Sequence, residues 1–91
     1  MRSAHLRITG RVQGVGYRAW LIETARRLGV RGWVRNRADG SVEALVIGAD
    51  DPVAALIEAC REGPVAARVR EVAVGEAADD GSDGFIPRPT V

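Results

Sequence analysis

The stretch "VRGWVRNRADGSVEALVIG", residues 30–48, decides the fold. It holds two β-rich runs, 30–36 and 41–48, separated by a short polar segment that ends in Asp39-Gly40, a strong hairpin signal. Upstream, "AHLRIT" (4–9) alternates Leu6 and Ile8 with His5, Arg7 and Thr9, the period of a half-buried strand. After a glycine-rich loop, Ala19, Trp20, Leu21, Ala25 and Leu28 recur at helical spacing, with Arg26 and Arg27 in the last turn and Gly29 at the position of a left-handed cap.

Downstream, a second helix is expected from Asp50 or Asp51. Pro52 suits its first turn, Val53, Leu56, Ile57 and Cys60 form its apolar stripe, and Gly63-Pro64 ends it. "VAARVREVAV" (65–74) reads as a strand, and Val69 and Val72 break its alternation, so a bulge or twist is expected there. "GEAADDGSDG" (75–84) has no periodicity and is expected to be a mobile loop with solvated acids. Phe85 and Ile86 can add a short edge strand, with Pro87 and Pro89 limiting further pairing.

Strand, helix, strand, strand, helix, strand is the order of two βαβ units around one hairpin. The fold expected is a ferredoxin-like α+β sandwich over 1–91 as a single domain, with a four- to five-stranded antiparallel sheet and two helices on one face. The strand 30–36 is expected at the side of the first strand. A chain of 91 residues has room for one core, and with only Tyr17, Trp20, Trp33 and Phe85 as aromatic residues that core must be mainly Val, Leu, Ile and Ala.

All 13 basic residues are arginine, which reflects overall composition more than any demand for guanidinium. Their placement is uneven. Residues 1–50 hold nine arginines against four acids, net +5, and residues 51–91 hold four against eight, net −4, so the first half favours an anionic partner. The lone Cys60 has no internal disulfide partner, and no apolar run is long enough for a signal segment or membrane span, so a cytoplasmic location with no membrane partner is expected. Cys60 reads as a buried small residue and His5 as a sheet-face residue, not as a nucleophile or a ligand.

The loop itself is "GRVQGVGYR", residues 10–18. Gly14 and Gly16 lie between a strand end and a helix start, where backbone N–H groups lack intrahelical partners. Such a loop accepts anions, although a tight strand-to-helix turn needs glycine just as much. Arg18 breaks the tie, because a cation in a first helical turn costs roughly 0.3–1 kcal/mol and nothing local asks for it. An anion gripped by its guanidinium fork supplies the compensation.

Gly14-Val15-Gly16-Tyr17-Arg18-Ala19 also spells G-x-G-x-x-A, with Asp39 about 20 residues on, as a dinucleotide site requires. Asp39, however, belongs to a hairpin turn and not to a parallel second strand, and the chain is too short for two nucleotide-binding halves. No Gly-Lys-Ser/Thr run exists to make a nucleotide–magnesium loop.

"GRVQGVGYR" resembles the signature of the acylphosphatase family, and "GWVRNRADGSVEA" (32–44) resembles its second block. The likeness extends to "GPVAARV" and the "GF" near the end. It implies a ferredoxin-like fold and metal-independent hydrolysis of the carboxyl–phosphate anhydride, without cofactor. It further implies that Gly14, Val15, Gly16, Tyr17 and Arg18 bind the substrate, the backbone amides of Val15 to Arg18 cradling phosphate, that Arg18 clamps it, and that Asn36 positions the attacking water. Inorganic phosphate or sulfate would occupy the same loop. Tyr17 stands where many members carry phenylalanine, and "FIPRPTV" departs from the usual alternating closing strand.

The chemistry is consistent with what the residues offer. A carboxylate leaves readily as an anion, since carboxyl groups ionise near pH 4–5, so no general acid is needed. The sequence has no paired catalytic carboxylates, no His–Asp pair and no CxxC or HExxH metal cluster. Taken alone, Asn36 reads as a strand-end residue. Two other readings compete. RNA binding across the sheet would want an aromatic-rich strand that is not present, so no nucleic-acid partner is expected. A carbamoyl-phosphate-handling domain like the one at the front of some hydrogenase-maturation proteins would want partner domains. A monomer is expected from the size and the lack of an extra apolar stripe.

Overall fold

A computed structural model describes residues 1–91. The elements in chain order are β1 (Arg2–Arg11), α1 (Tyr17–Leu28), β2 (Arg31–Asn36), β3 (Val42–Gly48), α2 (Asp50–Glu62), β4 (Arg68–Glu76) and β5 (Phe85–Pro87). The sheet order is β4-β1-β3-β2-β5. The two helices and one face of the sheet enclose the main core, in which Leu6, Ile8, Leu21, Val34, Val46 and Leu56 are fully covered. This is the ferredoxin-like α+β fold.

Three expectations are corrected by the pairing. β2 does not lie beside β1, because β3 intervenes and pairs with both. The sheet is mixed, not wholly antiparallel, since β5 pairs with β2 in parallel. The tail also stays bonded past its prolines: Arg88 N–H donates to Val34 O at 2.9 Å, Val91 N–H to Asn36 O at 3.2 Å, and Ala38 N–H to Val91 O at 2.6 Å. Pro87 and Pro89 lack donors, but Arg88 and Val91 supply the bonds between and after them.

The irregularity expected near Val69 is present. Thr9 pairs with Glu71 and Gly10 with Val69, so Arg70 is the extra residue of a bulge. Gly10, the first glycine of the 10–18 stretch, belongs to this feature, because a Cβ there would lie 2.3 Å from Arg68 O. Glycine is required at this point by β4's backbone, not by a ligand.

The other sheet face carries a small cluster of Trp33, Leu45 and Ile47, separate from the main core. The acidic segment covers this cluster and does more than face solvent: Asp79 pairs with Arg31 at 2.6 Å, and Asp80 accepts from Trp33 Nε1 at 3.2 Å. Arg35 and Arg88 stack on the Trp33 ring, 4.7 and 4.9 Å from its centre. Nearby, Glu43 takes hydrogen bonds from His5 (2.5 Å), Arg35 (2.7 Å) and Arg37 (3.1 Å). Burial pushes the Glu43 carboxyl up, but these three donors together outweigh it and hold the group at about 2.

Candidate active site

The 13–18 loop leaves β1 after the bulge and turns into α1. Gly14 (φ 72°) and Gly16 (φ 79°) are both left-handed, and a Cβ at either would meet no atom within 4 Å. Their side chains are therefore absent for backbone conformation, and the space above them is open. Gly16 is the N-cap of α1 and offers no side-chain bond, and no acid stands in the first turn. The first backbone bond of the helix is Trp20 N–H to Gly16 O at 3.1 Å, so the N–H groups of residues 14–19 have no acceptor in the protein.

Arg18 is exposed and enters no ion pair or hydrogen bond. Gly14, Gly16, Tyr17, Arg18 and Asn36 line one cleft of about 310 Å³. Sequence reasoning placed these residues together, and the fold does so although β1 and β2 are not neighbours. Asn36 is the last residue of β2 and pairs with Val42, the first of β3, while Ile8 of β1 pairs with the same Val42 from the other side. One residue of β3 thus holds both strand ends at one rim.

The Asn36 carboxamide makes no hydrogen bond, and its Oδ1 is buried without a partner. With that oxygen covered, the Nδ2 donor is the end of the amide left to the cleft. Val15 does not line the cleft. Its side chain packs on the core, and only its N–H belongs to the loop's free donors.

Tyr17 is buried, and its hydroxyl donates to Cys60 O at 2.7 Å, a bond that phenylalanine lacks. Burial, with the neighbouring Cys60 thiol, raises the Tyr17 hydroxyl far above its ordinary range, and burial pushes the Cys60 thiol up to about 11. Neither group ionises near neutral pH. Five further residues line the cleft that were not expected at the site: Val12, Gln13, Ala19, Ile22 and Pro87. Gln13 was visible as the one long polar side chain inside the glycine stretch. Ile22 and Pro87 carried no separable signal, because one belongs to a helical stripe and the other to a tail. No group of three or more His, Cys, Asp or Glu side chains is gathered to hold a metal ion.

The fold and site together define a small ferredoxin-like protein with an open, uncapped strand–loop–helix turn, its N–H groups free of protein partners, beside an unpaired carboxamide. The Acylphosphatase profile matches residues 4–87. The chain belongs to the acylphosphatase family.

It is 60% identical over 87 residues to an acylphosphatase of Acidovorax sp. (strain JS42), covering 96% of this chain and 90% of that one. It superposes on the crystal structure of acylphosphatase from Bacillus subtilis with a TM-score of 0.93 at 32% identity, covering 97% of this chain and 99% of that one. A similar fold forms 12% of full-length HypF, solved in its phosphate- and nucleotide-bound form, with a TM-score of 0.90 at 25% identity over 98% of this chain. The chain is thus an enzyme of acyl phosphate hydrolysis, and no helix in it is long and apolar enough to cross a membrane.

Proposed function

We propose that the backbone N–H groups of Val15, Gly16, Tyr17 and Arg18 cradle the phosphoryl group, that the Arg18 guanidinium clamps it, and that Asn36 orients the attacking water. The observation that carries this reading is the set of unpaired groups in one cleft: the free amides of 14–19, an arginine without a counterion and a carboxamide without a protein partner. Polar groups that the folded chain leaves without protein partners at one concavity are free to meet a ligand there. Phosphoryl transfer asks a protein mainly for positioning and charge neutralisation, which these groups supply.

In the step proposed, Asn36 Nδ2 donates to the water oxygen, which leaves a lone pair for in-line attack on phosphorus. The new P–O bond forms as the bond to the acyl oxygen breaks, and the carboxylate departs with that electron pair. Asn36 is no base, so the water's proton passes to a phosphoryl oxygen of the substrate. No metal or cofactor takes part, and residues 1–91 act as one domain. The substrate class is small acyl phosphates, with inorganic phosphate as product and cleft ligand. The protein works as a monomer in the cytoplasm.

Hydrolysis of benzoyl phosphate in excess chelator tests the scheme. Turnover is expected to be insensitive to chelation, and metal dependence would overturn the mechanism. Arg18→Ala is expected to weaken phosphate inhibition by about 10²-fold, the scale of a lost charge-assisted clamp. Asn36→Ala is expected to lower kcat by about 10²-fold with KM little changed, because water placement matters in the transition state.

A further inference from the structure

Gln13 sits inside the signature stretch, yet the chemistry above gives it no part. Its Nε2 donates to Arg37 O at 2.8 Å and to Ser41 O at 2.9 Å. These two carbonyls stand at the neck of the β2–β3 hairpin, where Arg37 N–H also donates to Ser41 O at 2.9 Å. Both amide protons are used, and turning the amide over would set its oxygen against two carbonyl oxygens, so its orientation is determined.

The sheet does not do this work. β1 parts from β3 after the Ile8–Val42 pair, and from Thr9 to Arg11 it pairs with β4 alone. Beyond that row, the 13–18 loop and the 37–41 turn run on without ladder bonds between them. The two bonds of Gln13 are the only hydrogen bonds that join residues 10–19 to residues 36–41.

We infer that Gln13 is a positioning residue for hydrolysis, setting the distance between the phosphate loop and Asn36 so that water lies in line with the scissile bond. The inference rests on the roles assigned to the loop and Asn36 above. A loose tie would leave phosphate bound and the water misplaced, and misplacement of this kind costs up to about 10²-fold in rate.

The test is a double-mutant cycle on benzoyl phosphate hydrolysis with Gln13→Met, Asn36→Ala and the double variant, reading kcat, KM and inhibition by inorganic phosphate. Gln13→Met is expected to lower kcat by about tenfold or more while phosphate inhibition stays within about twofold. In the Asn36→Ala background the same change is expected to cost less than about twofold, because its effect runs through Asn36. Additive losses, or a loss confined to phosphate binding, would overturn the role of Gln13 and leave the proposed function standing. Full kcat in Asn36→Ala would overturn the water assignment and this inference with it.

Gln13→Glu gives an independent reading even where the Met variant folds poorly. Its carboxylate opposes both carbonyls, while its protonated form restores one donor, so its kcat relative to the parent is expected to rise as pH falls toward 4. A constant ratio across pH would count against the tie.

Discussion

Arg18 occupies a position that the helix itself disfavours. It stands in the first turn of α1, at the positive end of the dipole and among the six unbonded amides of 14–19, with no acid to offset it. A residue kept there for a ligand should be a burden to the empty fold. Arg18→Ala is therefore expected to raise the stability of the unliganded protein by about 0.3–1 kcal/mol while phosphate affinity is lost, as read by urea unfolding with and without phosphate. A stability loss would mean that the guanidinium makes a structural contact. At this scale the sequence was informative, because a cation in the wrong turn is visible without coordinates. Gln13 was not readable in the same way, since its partners are main-chain carbonyls of residues 24 and 28 positions away, and carbonyls have no letter in a sequence.

Between elements, Tyr17 joins the start of α1 to the end of α2. Its hydroxyl satisfies Cys60 O, one of the carbonyls left open where α2 stops, and its ring fills the space that a Cβ on Gly63 would invade. Tyr17→Phe keeps the ring and strands that carbonyl in a buried place. The expected cost is about 1–2 kcal/mol in urea unfolding, and no change would show that the carbonyl finds another donor.

Element order was legible because the apolar period switches from two to 3.6 and back, with glycine at the helix ends. The pairing of β2 and the tail was harder. Periodicity marks which face of a strand is buried but not its neighbour, and two prolines hide the donors of Arg88 and Val91 between and beyond them. The acids of the 75–84 segment looked solvated because their partners, Arg31 and Trp33, lie more than 40 positions upstream.

For the molecule as a whole, Glu43 is the group most exposed to acid. Its carboxyl is held at about 2 against an ordinary 4.5, so the native state binds its proton later than the unfolded chain does. The stability it contributes is present above the unfolded value and is lost as pH falls from about 5 toward 2, roughly 3 kcal/mol in all. Glu43→Gln is expected to flatten that part of the stability–pH curve. It should also weaken the fold at neutral pH, where Arg35 and Arg37 would lose their shared anion. An unchanged acid slope would place the sensitivity elsewhere.

The rims of the sheet carry a last consequence. β5 is three residues long and runs straight into Pro87 and Pro89, while the opposite rim, β4, bears Arg68, Arg70, Glu71 and Glu76 and is bent by its bulge. A stray strand from another molecule would find few donors on one side and a row of charges on the other, so growth into fibrils is discouraged at both margins.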